Sequence, residues 1–111
     1  MTAVGYSGGH ARYATWRLRN GGRLMALSFP NQSRAYDATR RAVRFWGNDN
    51  AMEASFFVTE DSLKRIQPDM RFDEAGLLAA FDLNRLLIYA TAAKVYGRGH
   101  KGSYNLLPDD F

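Results

Sequence analysis

The chain has 111 residues, of which 46% are hydrophobic and 23% charged, a balance typical of one packed globular domain and not of a disordered polyelectrolyte. It contains no cysteine, which excludes a disulfide framework, a thiolate zinc site and a cysteine nucleophile, and we expect a cytoplasmic protein. Its longest apolar run, around Leu86 to Ala93, is far shorter than the roughly 20 residues that span a bilayer, so we expect no membrane partner.

The first 24 residues carry a charge that the rest of the chain does not. Four of the 15 basic residues lie in this segment, which has no acidic residue, and the other 11 are balanced by 11 acidic residues beyond Met25. We predict that residues 1–24 form a basic extension, either loose or a non-native leader, and that residues 25–111 form a single α+β domain. An alternative is a hairpin closed by Asn20-Gly21, because this dipeptide favours type I′ turns.

Three strands are predicted after this extension. Residues 25–29 alternate between the two faces of a strand, and residues 42–46 and 51–58 form a hairpin with a four-residue loop from Gly47 to Asn50. In this hairpin Trp46 pairs with Ala51, which places apolar side chains opposite each other. The inward-facing apolar set is then Leu27, Phe29, Val43, Phe45, Ala54, Phe56 and Val58.

Helices are predicted in the second half of the chain. Thr59 caps a short helix, and Asp73 caps a longer helical tract that ends at Gly97 and breaks near Asp82. Residues 104–107 form a last short strand. This order, β-β-β-α-α-β, predicts an α+β fold in which a small antiparallel sheet of three to four strands has its helices packed on one face.

Short motifs in residues 27–111 carry a family resemblance. They combine strand, turn and helix positions: Ser28-Phe29-Pro30-Asn31, Tyr36-Asp37, Val43-Arg44-Phe45, Phe56-Phe57-Val58, Leu63, Phe81, Arg85, Ile88, Ala92, Tyr104 and Asp110-Phe111. Together they resemble a bacterial family of small domains known as domain of unknown function 1488. The resemblance implies a compact single domain with no agreed activity, and it suggests Met25 as the true start. Relatives carry a cysteine near the position of Phe56, so its absence here argues against a thiol-based role.

A Gly-rich segment from Gly97 to Ser103 is the stretch most similar to a phosphate-binding loop. It follows a helix and precedes a strand, the reverse of the Walker arrangement, so an ordinary helix-to-strand connection is favoured. Basic side chains of this loop and of the turn before the second predicted strand are candidate contacts for an anion or a nucleic acid: Arg40, Arg41, Arg98, His100 and Lys101.

Strand alternation turns a second set of side chains away from the predicted core. Arg44, Trp46 and Phe57 fall on the face opposite Phe45 and Phe56, and exposed rings of this size usually need a cover. The cores of protein interfaces are enriched in aromatic residues and arginine. We therefore predict that Arg44, Trp46 and Phe57 bind a protein partner or a second copy of the chain.

No residue pattern indicates catalysis. The two histidines lie in Gly-rich segments without acidic neighbours at metal-ligand spacing, and the acidic residues fall mainly at helix starts or in turns. We expect no catalytic residue, no cofactor and no metal, and therefore no enzyme. The predicted function is a non-catalytic accessory or protein-interaction module, with a homodimer as one form. The alternative is a nucleic-acid-binding protein that uses the Arg-rich extension and the basic Gly-rich loop.

Overall fold

A computed structural model describes residues 3–7, 15–20, 23–50, 52–99 and 102–111 of the chain. Within these ranges seven strands form one sheet, and three α-helices lie in sequence between the sixth and seventh strands. The predicted α+β class is confirmed. The elements are β1 (Ala3–Ser7), β2 (Thr15–Asn20), β3 (Arg23–Ser28), β4 (Arg34–Asp37), β5 (Ala42–Asp49), β6 (Met52–Thr59), α1 (Glu60–Ile66), α2 (Glu74–Leu83), α3 (Arg85–Tyr96), β7 (Tyr104–Leu106) and a 3₁₀ turn at Pro108–Asp110.

The sheet is larger than the predicted three to four strands, and it is mixed. Its order is β1-β2-β3-β5-β6-β7, with β4 paired beside β5. All strand pairs are antiparallel except β6 with β7, which is parallel. The parallel pair arises because the helices carry the chain back across the sheet before β7 begins, as parallel neighbours require. The sequence predicts a polar loop at β4, since these four residues alternate too briefly to indicate a strand.

The predicted register of the β5–β6 hairpin is wrong. Trp46 pairs with Ser55 instead of Ala51, and the strands run on as far as Asp49 and Met52. Asn50, directly after β5, has a left-handed φ of 55°. The hairpin is therefore longer than predicted, and three residues of the predicted loop, Gly47 to Asp49, belong to β5.

Gly47 lies inside β5 because the core occupies the space where its side chain would be. A Cβ atom at this position would lie 2.8 Å from a ring carbon of Phe29 and 3.0 Å from one of Phe56. The glycine that indicated a turn in the sequence is instead a place where two rings approach the backbone closely.

The error in register leaves the predicted faces intact. The observed pairing differs from the predicted one by four residues, and an even shift keeps every side chain on the same side of the sheet. The predicted inward set is confirmed as buried, with only Ala54 partly so: Leu27, Phe29, Val43, Phe45, Ala54, Phe56 and Val58.

The helices close this inner face, and their predicted ends are close to the observed ones. The Thr59 hydroxyl accepts the backbone N–H of Ser62 at 3.1 Å, and the Asp73 carboxylate accepts that of Gly76 at 2.7 Å, which confirms both caps. The break between α2 and α3 falls at Asn84, close to the predicted Asp82. None of the described helices is long and apolar enough to cross a membrane.

The described parts of the predicted extension, residues 3–7 and 15–20, are strands of the sheet. The strands β2 and β3 pair from Thr15 with Ser28 to Asn20 with Arg23, so the hairpin alternative is confirmed, while the residues of its turn, 21 and 22, lie outside the described ranges. Trp16 is 3% exposed and packs edge-on against Phe29 at 5.6 Å. Whether residues 25–111 fold without the preceding segment stays a prediction.

Candidate functional site

The outer face of the sheet, opposite the helices, carries the three residues predicted to bind a partner. The register places Arg44 opposite Phe57 and Trp46 opposite Ser55 on this face. Neither Phe57 nor Trp46 belongs to the buried core cluster that the helices complete. Strand alternation therefore brings Arg44, Trp46 and Phe57 together, as the sequence indicated.

Arginine side chains cover the aromatic rings on the outer face. The guanidinium carbon of Arg40 lies 4.1 Å from the centroid of the Phe57 ring, and that of Arg44 lies 5.6 Å from the same centroid and 5.1 Å from that of Trp46. Phe57 is consequently only 4% exposed, and Trp46 is half-buried. The expected exposed ring at Phe57 is thus corrected: its cover comes from cationic side chains of the same chain.

The turn between β4 and β5 places Arg40 over the sheet. The Asp37 carboxylate accepts the backbone N–H of Arg40 at 3.0 Å, and Arg41 adopts a left-handed φ of 52° just before β5 begins. This turn folds back along β5, so that a residue 17 positions before Phe57 in sequence reaches its ring. The sequence indicated a polar turn here, but nothing in it indicated the contact of Arg40 with Phe57.

A shallow depression of about 540 Å³ lies at this position on the outer face, and we call it the outer depression. Its lining combines the floor of the sheet with the β4–β5 turn and the end of the Gly-rich loop. The lining residues are Asp37, Arg40, Arg44, Ser55, Phe57, Gly102 and Ser103. Two groups of residues that the sequence treated separately, the aromatic cluster and the Gly-rich loop, therefore meet at one place.

The other predicted anion contacts do not join the outer depression. Arg98 pairs with Asp110 at 2.9 Å, and Arg41 pairs with Glu60 at 3.3 Å on the side that faces α1. His100 and Lys101 lie outside the described residues, although Gly102 follows them directly in the chain. Asp37 is a lining residue that sequence reasoning missed, and the Asp37 to Arg40 turn spacing was the one available signal for it. The sequence indicates Ser103 only as the end of the Gly-rich segment.

Seven described arginines fall into two groups by their carboxylate partners, while the exposed Arg17 and Arg65 have no described carboxylate within 4 Å. In the first group, nitrogen-to-oxygen distances run from 2.7 to 3.3 Å: Arg34, Arg41, Arg71, Arg85 and Arg98. By contrast, Arg40 is 4.0 Å from Asp37, and no described carboxylate lies within 4 Å of Arg44, which donates to the Ser55 hydroxyl at 2.9 Å. Arg40 and Arg44 therefore combine weak pairing with carboxylates and packing on an aromatic ring of the sheet.

A second depression, of about 320 Å³, lies beside the first and shares Arg40 with it. Its buried carboxylate, Glu60, accepts hydrogen bonds from the Tyr36 hydroxyl and from the Arg41 guanidinium. The hydrogen bond to Glu60 raises the pKa of Tyr36, with a smaller contribution from burial. The Glu60 backbone N–H also donates to the Arg41 carbonyl at 3.0 Å. This arrangement anchors both flanks of the β4–β5 turn to α1, and so holds Arg40 in place.

Among the residues that the structure describes, no group of three or more histidine or acidic side chains is arranged to hold a metal ion. The described lining of the outer depression offers groups suited to recognition: two guanidinium groups, two serine hydroxyls and an aromatic floor, beside the carboxylate of Asp37.

Comparison with known proteins gives one match. A family model described as "Protein of unknown function (DUF1488)" matches residues 27–107. The matched residues include the end of β3, strands β4 to β7, all three helices and every residue that lines the outer depression. No curated protein and no solved structure shows a significant match to the chain.

Proposed function

Because the chain belongs to the family of proteins of unknown function DUF1488, whose name implies no activity, we propose its function from the geometry. We propose that it is a non-catalytic protein-interaction module, located in the cytoplasm, that binds a protein partner through the outer face around Arg44, Trp46 and Phe57. A second copy of the chain is one such partner. The observation that carries the proposal is the joint placement of these three residues on the face that the helices leave open.

The composition of the outer face supports this proposal. Tryptophan and arginine are the residues that most often dominate the binding energy of protein interfaces. The Arg44 guanidinium lies over the Trp46 and Phe57 rings and donates to the Ser55 hydroxyl, and these contacts restrict its rotamers before any partner arrives and lower the entropic cost of binding. The side chains stand on two paired strands of the sheet centre, so the surface is rigid.

Site-directed photocrosslinking tests the proposal because it captures a partner whose identity is not yet established. A benzophenone side chain replaces Trp46 in the full chain, and the control carries it at Arg65, an exposed position of α1 on the helical side. Both proteins are irradiated in the cells that naturally express the chain and, separately, after purification. We expect a discrete adduct heavier than the 12.5 kDa chain from position 46 but not from position 65. An adduct of twice the chain mass from purified protein identifies the second copy.

The same experiment can contradict the proposal. If position 46 yields no adduct in either setting, or if positions 46 and 65 yield the same adducts, the outer face is not a specific protein-binding surface. An adduct from position 46 that digests with nuclease would replace the proposal with the nucleic-acid alternative.

A further inference from the structure

We infer that the outer depression is a carboxylate-binding site, which takes one aspartate or glutamate side chain with apolar neighbours from the partner protein. This inference rests on the proposed function and adds the chemistry of the partner. The residues that would hold the carboxylate are Arg40 and Arg44, with Phe57 beneath them and Ser103 at the far wall.

The first argument is the unequal use of the arginines. Five described arginines have a carboxylate at 2.7 to 3.3 Å, whereas Arg40 and Arg44 have one marginal contact between them, at 4.0 Å. A guanidinium group has five N–H donors, and in the described structure Arg44 uses one of its donors on Ser55. Arg17 and Arg65 have no described carboxylate either, but among these arginines Arg40 and Arg44 are the two that lie over the Phe57 ring and line one depression. Their donors are therefore placed together for an external anion.

The second argument is the enforced proximity of two like charges. Both guanidinium carbons are measured from the same Phe57 centroid, at 4.1 and 5.6 Å, so they lie at most about 10 Å apart. Two cations within this distance repel each other, and an anion bound between them is attracted to both and offsets that repulsion. A guanidinium group is planar and can make a bidentate hydrogen-bonded contact with a planar carboxylate.

The third argument separates a carboxylate from a polyphosphate. Asp37 lines the outer depression, Glu53 lies on the same face, and Glu60 and Asp61 line the adjoining depression. A nucleic-acid backbone needs a run of cations along its path, whereas these carboxylates limit the positive charge here to the arginine pair. A single carboxylate with apolar neighbours matches a confined positive charge that is bordered by Trp46 and Phe57.

Peptide binding to the full chain tests the inference. The probes are a short fluorescein-labelled peptide with one glutamate flanked by leucines and the same peptide with glutamine in place of that glutamate. Fluorescence anisotropy reports the dissociation constant of each. We expect the glutamate peptide to bind at least about tenfold more tightly than the glutamine peptide, as hydrogen bonds between charged partners predict.

Variants of the two arginines assign the effect to the outer depression. Arg40→Gln and Arg44→Gln should each weaken binding of the glutamate peptide by about tenfold, and the matched control Arg65→Gln should change it by less than about twofold. Arg44→Lys keeps the charge but loses the planar fork, and we expect it to bind more weakly than the unsubstituted chain. This second variant preserves the test if Arg44→Gln loosens the cover of Phe57.

Three results would overturn the inference. The glutamine peptide could bind as tightly as the glutamate peptide, or Arg40→Gln and Arg44→Gln could have no more effect than Arg65→Gln. The third result is tighter binding of labelled oligothymidylate than of the glutamate peptide, with loss of that binding in both arginine variants, which would assign the site to phosphate. If position 46 crosslinks to a partner but the glutamate and glutamine peptides bind equally well, the proposed function stands and only the inference of a carboxylate-binding site is rejected.

Discussion

Two neighbouring rings of β6, Phe56 on the inner face and Phe57 on the outer face, are both nearly closed to solvent, but by different kinds of atom. On the inner face, Phe45 and Phe56 stack at 5.3 Å and are covered by apolar side chains of the helices. On the outer face, Phe57 is almost as buried, yet guanidinium groups of Arg40 and Arg44 cover it. A ring beneath arginines can exchange part of its cover for a ligand. Burial alone therefore does not separate a core from a binding surface.

Neighbouring residues of β5 give the sharpest comparison of the two faces and the largest expected effect. Phe45→Ala should lower the free energy of unfolding by about 3–5 kcal/mol, because it leaves a cavity in the packed aromatic cluster. Trp46→Ala, one residue further on the outer face, should cost about 1 kcal/mol, since this side chain is only half-buried. Urea unfolding measures both, and equal costs would mean that the outer face is a second core.

Strand β2, which pairs with β3 on the side away from β5, tests how far the inner face extends. Trp16→Ala should lower the free energy of unfolding by about 3 kcal/mol, because Trp16 packs against Phe29 and Tyr89 at the margin of the core. A chain that begins at Met25 should still unfold cooperatively, with at least the same loss. Thermal unfolding of the two proteins provides the measurement. A truncated chain without a cooperative transition would show that the domain requires the preceding residues.

The arginines that already have carboxylates provide the smallest expected effect. The hydrogen bond from Arg34 and, to a lesser degree, that from Arg85 lower the pKa of Asp82. A lowered folded-state pKa stabilises the protein at pH values above the ordinary carboxyl pKa of about 4, and this stabilisation is lost as the pH falls through the folded-state value. Asp82→Asn should therefore cost at most about 1 kcal/mol at pH 7 because the pair is solvent-exposed, and less at pH 3.

Urea unfolding of Asp82→Asn and the unsubstituted chain at both pH values checks this difference. The same cost at pH 3 and pH 7 would show that the ion pairs do not contribute. Arg44 provides the comparison, because it has no described carboxylate. The stability cost of replacing Arg44 should therefore not differ between pH 3 and pH 7 in this way.

The sequence determined which residues share a face more reliably than how the strands align. Alternation in Val43 to Trp46 predicted the buried side correctly, and a register error of four residues could not change it. The register error arose because the sequence does not distinguish a glycine in a strand from a glycine in a turn. The close approach of the Phe29 and Phe56 rings to Gly47 is visible only in the folded structure. The β4 strand and the parallel β7 also depend on tertiary pairing, which local patterns do not encode.

The candidate site was partly predictable for the same reason. Arg44, Trp46 and Phe57 follow from strand alternation alone. The contact of Arg40 with Phe57 depends on the path of a turn that Glu60 and Tyr36 anchor to α1, and no local pattern near Phe57 contains that information. The separation of paired from poorly paired arginines likewise requires the positions of carboxylates that are distant in sequence.

A single variant tests most directly whether the outer face is built for binding or only for stability. Arg44→Gln is measured twice on one preparation: for its free energy of unfolding in urea and for its affinity for the glutamate peptide. We predict a loss of stability below about 1 kcal/mol, the usual contribution of an exposed cation–π contact, together with about tenfold weaker binding. A large loss of stability with unchanged peptide affinity would contradict the account, because the arginines would then serve only as a lid on Phe57.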